Sequence, residues 1–152
     1  MKYEKLKLKN QLCHPLYSSN NALMRAYQPF LKPLGLTYPQ YLVMLALWEK
    51  DAVNMKDISD RTFFDSGTLS PLVSKMQKKG VLKITPHLDD RRNKIITLSE
   101  KGRKLSTKAS IIPERLPCVI NLSEGEIQLL KKLTEKMHHN LTMTLRKRVE
   151  FT

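Results

Sequence analysis

A cysteine and a tyrosine lie one helical turn apart in the stretch "NQLCHPLY", residues 10–17. They are Cys13 and Tyr17, and within a helix a hydroxyl at this spacing can touch the sulfur and stabilise a thiolate. The thiolate is the nucleophilic form of cysteine, and it reacts with peroxides. A buried cysteine, in contrast, is usually a small apolar residue without chemistry. The stretch therefore leaves two interpretations of Cys13 open, a reactive thiol and an inert core residue.

The compartment decides what this thiol and the second cysteine, Cys118, can do together. The stretch "MKYEKLKLKN" lacks the apolar run of a signal peptide, and no stretch approaches the ~18–20 apolar residues of a membrane span. We therefore expect a cytoplasmic protein whose thiols are kept reduced. That expectation argues against a permanent structural disulfide and leaves a transient, redox-driven one open.

The charge of the chain predicts its partner. The 152 residues suit a single domain with a sizeable core, and 27 Lys and Arg against 14 Asp and Glu give a formal net charge of +13. A charge of this size predicts a polyanionic partner, either nucleic acid or an anionic membrane surface. A solvated basic surface is the alternative that composition by itself leaves open.

A first helix is predicted between Leu12 and Leu31, where apolar residues are spaced by threes and fours. Pro15 lacks a backbone donor, which predicts a break near Gln11. The stretch "KPLG" (32–35) ends the helix.

Two further helices are predicted before the middle of the chain. Thr37 and Gln40 form a capping-box pattern, and the helix that follows carries "YLVMLALW" (41–48). Because this run is apolar nearly all round, we expect it at the centre of the core. Asn54 can then cap a short helix over "MKDISDRT" (55–62).

The segment 63–80 predicts a helix with one apolar and one polar face. Asp65 or Ser66 can serve as its N-cap and Gly80 as its stop. Its inward stripe consists of Leu69, Leu72, Val73 and Met76. Two β-branched runs, 81–85 and 94–98, flank the charged stretch "PHLDDRRN" and predict a hairpin with a projecting tip.

This order of elements predicts a winged helix-turn-helix that reads DNA. A major groove ~12 Å wide admits a helix whose hydroxyls bond to base edges and whose lysines contact phosphates. The residues predicted for these contacts are Ser66, Thr68, Ser70, Ser74, Lys75 and Lys78. On the hairpin tip, Arg91 or Arg92 can enter a minor groove, and Asp90 can brace the loop by a salt bridge. Ordinary capping and surface roles for Ser66, Thr68 and Ser70 remain the alternative.

The C-terminal part predicts dimerisation. Helical pattern resumes at Ser99, and Pro113 and Pro117 then predict a linker without regular structure that contains Cys118. Ser123 and Glu126 form a second capping box before a long helix. Its apolar stripe, which predicts packing against a second copy of the chain, consists of Ile127, Leu130, Leu133, Met137, Leu141 and Leu145.

The middle of the chain resembles the MarR family of bacterial transcription regulators. The resemblance lies in "DSGTLSPLVSKMQKKGVL" (65–82) and "DDRRNKIITLSEKG" (89–102), where Asp90, Arg92 and the Leu-Ser-x-x-Gly run from Leu98 match the family's wing motif. It implies that Arg92 is the wing-tip arginine and Asp90 its bracing partner. It also implies a homodimer that binds pseudo-palindromic double-stranded operator DNA.

The fold class implied is mainly α (α+β), a winged helix-turn-helix with N- and C-terminal dimerisation helices. We expect one MarR-like domain over residues 1–152. Its DNA-binding lobe is predicted at 37–98, between dimerisation helices at 1–36 and 99–152.

The N-terminal third is similar to the OhrR-type branch, the sensors of organic hydroperoxides. The motifs are "QLC", a tyrosine four residues on, and "LTYPQYLV" (36–43). The similarity implies that Cys13 is the sensing thiol and that the hydroxyls of Tyr17, Tyr27 and Tyr38 hold its thiolate. His14 departs from the branch, which commonly has an aromatic hydrocarbon there.

Fourteen residues separate Tyr27 from Cys13, roughly 20 Å along a helix. A tyrosine at that distance must come from the partner chain if it serves this thiol. The second cysteine resembles the resolving thiol of the two-cysteine subclass, which implies an inter-subunit disulfide between Cys13 and Cys118. The function implied is a repressor that leaves its operator when an organic hydroperoxide oxidises Cys13.

Three alternatives remain at this point. A MarR-type regulator can use a single thiol or sense a small phenolic ligand. A thiol peroxidase would share the first chemical step, but the sequence lacks the pattern of a redox-protein fold, so we expect no enzyme. A zinc site, from Cys13, His14, Cys118, His138 and His139, lacks the spacing of ligand pairs, so we expect no metal or other cofactor.

Overall fold

The structure, a computed structural model, describes residues 3–86 and 94–149, with the side chains of 145–149 excepted. These residues form helices and strands in the order α1 (Cys13–Leu31), α2 (Tyr38–Glu49), β1 (Val53–Asn54), α3 (Met55–Thr62), α4 (Ser66–Lys78), β2 (Leu82–Pro86), β3 (Lys94–Leu98), α5 (Glu100–Ala109), α6 (Ile112–Ile120) and α7 (Glu124–Val149). Three 3-10 turns accompany them, Glu4–Leu6, Leu8–Asn10 and Lys32–Leu34. The chain forms two compact units, Met1–Leu116 and Pro117–Thr152.

Helix α1 begins and ends as its prolines and glycine predict. Gln11 is extended (φ −93°, ψ 120°), and Pro15 occupies the third helical position, where a backbone N–H has no partner within the helix. The predicted break near Gln11 is therefore confirmed. At the other end, Gly35 adopts the left-handed conformation (φ +66°) that glycine favours, and the chain turns into α2.

Helix α2 is the centre of the core of the first unit. The predicted capping box is present. The Gln40 side-chain oxygen accepts a hydrogen bond from the Thr37 backbone N–H at 3.2 Å, and the Thr37 side chain accepts one from the Gln40 backbone N–H. The buried side chains of α2 come from nearly all sides of the helix: Gln40, Tyr41, Val43, Met44, Ala46 and Leu47. The prediction of a central apolar helix is confirmed.

Helices α3 and α4 form the predicted helix-turn-helix. Asn54 caps α3 by accepting from the Asp57 N–H at 2.9 Å, and the chain reverses at Phe63 (φ +58°). In α4, Leu69 and Val73 are among the fully buried side chains, as the inward stripe predicts.

A three-stranded antiparallel sheet with the order β1-β3-β2 follows the helix-turn-helix. The predicted hairpin of β2 and β3 is confirmed, with Leu82 opposite Leu98 and Ile84 opposite Ile96. Strand β1 was not predicted, because two residues cannot show the alternation that marks a strand. Val53 of β1 pairs with the buried Ile96.

The junction of β3 and α5 explains the Leu-Ser-x-x-Gly run of the wing motif. Leu98 is buried, and Ser99 caps α5 by accepting from the Gly102 N–H at 3.0 Å. A Cβ on Gly102 would lie 2.0 Å from the carbonyl oxygen of Val81. The Trp48 indole donates to the Gly102 carbonyl at 3.0 Å. Only glycine allows the backbones of α5 and residue 81 to approach this closely.

The expectation of an irregular linker around Cys118 is wrong. Residues Ile112–Ile120 form α6, in which Pro113 lies in the first turn and Pro117 removes a single interior hydrogen bond. Ile112 and Leu116, one turn apart, are buried. Packing of this apolar face stabilises the helix despite its prolines.

Helix α7 begins with the second predicted capping box. The Ser123 hydroxyl donates to Glu126 at 2.6 Å, and the Glu126 N–H lies 3.4 Å from the same hydroxyl. On the predicted stripe, Leu133 and Leu141 are more than half exposed, and the side chain of Leu145 lies outside the described residues. No helix in the described ranges is long and apolar enough to cross a membrane.

We expect Gly102→Ala to destabilise the fold by about 2 kcal/mol, because its methyl group meets backbone rather than a flexible side chain. The measurement is the free energy of unfolding in urea. Gly125→Ala in α7 is the matched control, since a Cβ there meets nothing within 4 Å. Equal stability of the two variants would contradict the close approach at Gly102.

Candidate DNA interface and thiol site

The outer face of α4 carries every DNA-contacting residue predicted for this helix. All six side chains are exposed, while the opposite face is buried in the core. These residues are Ser66, Thr68, Ser70, Ser74, Lys75 and Lys78. The structure thus brings the predicted hydroxyls and lysines onto one accessible surface of one helix.

Asp65 holds the first turn of this helix. Its carboxylate accepts from the Thr68 N–H at 2.8 Å and from the Thr68 hydroxyl at 2.7 Å. The hydrogen bond from the hydroxyl, followed by that from the backbone, lowers the pKa of Asp65. Because the Thr68 hydroxyl donates its proton to the cap, Thr68 can meet DNA only as a hydrogen-bond acceptor.

Two lysines extend the basic surface toward the wing. Lys83, near the start of β2, and Lys94, opposite Pro86 at the end of the hairpin next to its tip, are exposed. The wing-tip residues Asp90, Arg91 and Arg92 lie outside the described residues, so their roles stay predictions.

Both thiols are free and exposed. Cys13 is the first residue of α1, and Tyr17, one turn later, is 70% exposed. Cys118 lies in the last turn of α6. Neither cysteine is the inert core residue that its apolar neighbours in the sequence allow.

Tyr27 and Tyr38 come together in an aromatic cluster. Their ring centroids are 4.7 Å apart, and the two rings are tilted by 56°. Tyr41 lies 6.1 Å from Tyr27, and Trp48 lies 6.2 Å from Tyr41. Tyr41 and Trp48 were not predicted as members, although Tyr38 and Tyr41 are three residues apart on α2 and so share a face.

The cluster keeps its phenols protonated. Burial, together with the neighbouring Tyr38 and Tyr41, raises the pKa of Tyr27 to about 12, and burial raises the pKa of Tyr38 and of Tyr41 as well. Neutral phenols are hydrogen-bond donors, which is the role an anionic sulfur requires of its neighbours.

The helix α1 separates the thiol from this cluster. It is continuous from Cys13 to Leu31, so Tyr27 lies about 21 Å along the axis from Cys13. The structure therefore brings Tyr27 and Tyr38 together and leaves Cys13 and Tyr17 at the other end of the helix. Within residues 3–86 and 94–149, no group of three or more His, Cys, Asp or Glu side chains could hold a metal ion.

Comparisons with known proteins find relatives among transcriptional regulators. A family model described as the transcriptional regulator SarA/Rot matches residues 25–109. The organic hydroperoxide resistance transcriptional regulator of Bacillus subtilis is 36% identical over 137 residues, which cover 90% of this chain and 91% of that protein. The regulator SarZ of Staphylococcus epidermidis is 34% identical over 143 residues, 94% of this chain and 95% of that protein.

Solved structures of AbfR from Staphylococcus epidermidis are similar as well. Reduced AbfR bound to DNA has a TM-score of 0.77 at 30% identity, over 93% of this chain and 99% of that one. Overoxidised AbfR bound to DNA has a TM-score of 0.72 at 29% identity, over 91% of this chain and 98% of that one. The chain therefore belongs to the SarA/Rot family of transcriptional regulators, and its fold is that of the MarR-type winged-helix proteins. The predicted fold class and the resemblance to the organic hydroperoxide regulators are confirmed.

We expect Lys75→Ala and Lys78→Ala each to weaken binding to duplex DNA of any sequence. The slope of log affinity against log salt concentration is negative, and each lost phosphate contact should reduce its magnitude by about one. Titrations of a random-sequence duplex at several salt concentrations measure this slope. Lys104→Ala on α5, whose ammonium pairs with Glu100 at 2.6 Å, is the control that leaves the slope unchanged. An unchanged slope for Lys75→Ala and Lys78→Ala would contradict the assigned interface.

The partly buried phenol of Tyr27 makes the free energy of unfolding depend on pH in the alkaline range. Because the folded pKa of Tyr27, about 12, exceeds the ordinary value of 10.0, its contribution is fully present below pH 10 and is lost as the pH rises to 12. We expect Tyr27→Phe to make the decline of unfolding free energy between pH 10 and 12 shallower. Urea unfolding at several pH values tests this, and below pH 9 the wild-type and variant curves should run parallel. Parallel curves up to pH 12 would contradict the raised pKa.

Proposed function

We propose that this regulator is a thiol-based repressor that senses organic hydroperoxides through Cys13. The observation that carries the proposal is the arrangement on α1: an exposed thiol at its first residue and a pair of protonated phenols near its far end. The similarity to the organic hydroperoxide resistance regulator supports the choice of oxidant.

A homodimer completes the sensing site in this proposal. The cluster of Tyr27 and Tyr38 is about 21 Å along α1 from the thiol of its own chain. If the α1 helices of two copies cross in opposite directions, Cys13 of each copy meets Tyr27 and Tyr38 of the other, with Tyr17 contributed by its own chain. The exposed leucines of α7, among them Leu130 and Leu133, supply apolar surface for such a dimer.

The dimer presents two recognition surfaces to a pseudo-palindromic operator. Two α4 helices must lie about 34 Å apart to enter successive major grooves on one face of the duplex. Ser70 and Ser74 then face base edges while Lys75 and Lys78 contact phosphates. In this proposal Arg92 enters the minor groove and Asp90 braces it, as the resemblance to the MarR family implies.

The chemistry begins at the Cys13 thiolate. Its sulfur attacks the terminal hydroperoxide oxygen, the O–O bond breaks, and the alkoxide takes up a proton to leave as an alcohol. Cys13 becomes a sulfenic acid. The Cys118 thiol of the other chain then attacks this sulfur, which forms an inter-subunit disulfide and releases water.

The disulfide changes the distance between the DNA-binding lobes. Its geometry requires Cα atoms within about 7 Å, so a longer separation in the reduced dimer forces α1 and α6 to move. Recognition helices that lose their spacing release several phosphate contacts together. Because the similar regulator AbfR has been solved bound to DNA in an overoxidised state, we assign release to the disulfide and not to oxidation of one sulfur.

The test compares wild type, Cys13→Ser and Cys118→Ser on operator DNA that the reduced protein selects from a random pool. Each protein is treated with cumene hydroperoxide and analysed by gel shift and by non-reducing electrophoresis. We expect oxidised wild type to release DNA, to migrate as a covalent dimer, and to recover with dithiothreitol. Both variants should stay bound and monomeric under denaturing conditions.

Each thiol has its own contradicting outcome. Release of DNA by Cys13→Ser at the wild-type oxidant concentration would remove the sensing role from Cys13. Full, reversible release by Cys118→Ser would leave Cys13 as a single-thiol sensor and remove the resolving role.

A further inference from the structure

Lys79 links the end of the recognition helix to the beginning of α2. It follows the last residue of α4, and its ammonium donates to the Gly35 carbonyl at 2.7 Å and to the Gln40 side-chain oxygen at 2.8 Å. Lys75, Lys78 and Lys79 are all exposed, but the Lys79 ammonium is held by these two acceptors from the start of α2 and the turn before it. The sequence analysis assigned no role at the DNA interface to Lys79, Gly35 or Gln40.

The Gln40 side chain serves two elements at once. Its oxygen accepts from the Thr37 N–H at 3.2 Å, which completes the capping box of α2, and it also accepts from Lys79. The residue is 4% exposed, so this oxygen has protein donors in place of bulk water. A shift of the first turn of α2 therefore strains the bond to α4 unless both helices move.

The first residue of α2 belongs to the tyrosine cluster. Tyr38 directly follows the N-cap Thr37, and its ring lies 4.7 Å from that of Tyr27. Because Tyr38 is part of the first turn of α2, a movement of its ring also moves the turn in which Gln40 completes the capping box. The path from the cluster to the recognition helix is short: Tyr38, the capping turn, Gln40 and Lys79.

The far end of α4 is held from a second side. The Lys79 carbonyl accepts from the Lys101 ammonium at 2.9 Å, and the Gly80 carbonyl accepts from the Ser99 hydroxyl at 2.7 Å. These bonds tie the end of α4 to the start of α5. The recognition helix is thus anchored at its C-terminal end between α2 and α5, while its N-terminal turn faces outward.

We propose that Lys79 is a positioning residue that transmits the state of the tyrosine cluster to the recognition helix. The inference rests on the proposed function, because it supplies the route by which a change at the thiol site reaches DNA. In the reduced protein the bridge through Gln40 holds α4 in its DNA-binding orientation. When the first turn of α2 moves on oxidation, the same bridge moves α4 with it.

The experiment measures operator affinity of the reduced and the cumene hydroperoxide-oxidised protein, and the readout is the ratio of the two affinities. Lys79→Met keeps the aliphatic chain and the capping box but removes the bridge. We expect its ratio to fall about fivefold or more below that of the wild type. A residue with only a structural role would lower both affinities and leave the ratio unchanged.

Two further variants make the comparison specific. Lys78→Met removes the same charge from the neighbouring exposed position, so we expect it to weaken both states equally and to keep the ratio. Gln40→Glu retains a side-chain oxygen that can accept from Thr37 and from Lys79, and glutamate suits this position of a capping box. We expect Gln40→Glu to keep the wild-type ratio.

The outcomes separate this inference from the proposed function. A wild type with equal affinity in both states would overturn both. A responsive wild type together with a full ratio in Lys79→Met would overturn the transmission role alone. Folded Lys79→Met that weakens DNA binding equally in both states, as Lys78→Met is expected to do, would place Lys79 with the phosphate-contacting lysines and would also overturn it.

Discussion

A continuous helix keeps its two ends apart, and this constraint governs how the chain can use its chemistry. Helix α1 runs for 19 residues, about 28 Å, with the thiol of Cys13 at its start and Tyr27 fourteen residues further on. The phenols are packed against the core of their own chain, which keeps them protonated and fixed in place. A sensing site that uses both ends of α1 therefore needs two copies of the chain, and dimerisation becomes part of the proposed chemistry.

The position of the helix-turn-helix and the wing depends on helix α2. This helix is buried nearly all round, so its neighbours on every side take their positions from it. Tyr38 and Tyr41 on α2 join the phenol cluster, Trp48 reaches the Gly102 carbonyl, and Gln40 receives Lys79 from the recognition helix. One helix thus contacts the proposed sensing cluster, the base of the wing and the end of α4.

Local patterns predicted most of the elements, and the failures have a physical explanation. Capping boxes at Thr37 and Ser123 marked helix starts correctly, because a cap is decided by residues three positions apart. Strand β1 was missed because its pairing with β3, and not its own two residues, makes it a strand. The helix around Pro117 was missed because burial of Ile112 and Leu116 outweighs a local sequence that disfavours helix.

The sequence by itself determined the winged-helix order of elements and the exposed face of α4, because hydrophobic period and capping are properties of neighbouring residues, and its motifs carried the resemblance to the family. Only the tertiary structure decided that Tyr27 and Tyr38 form a pair, that Tyr41 and Trp48 join it, and that Lys79 binds Gly35 and Gln40. These contacts join residues from different helices, and their distances follow from how the helices pack. Spacing along the chain carries no record of such packing, because a side chain far away in sequence supplies the partner.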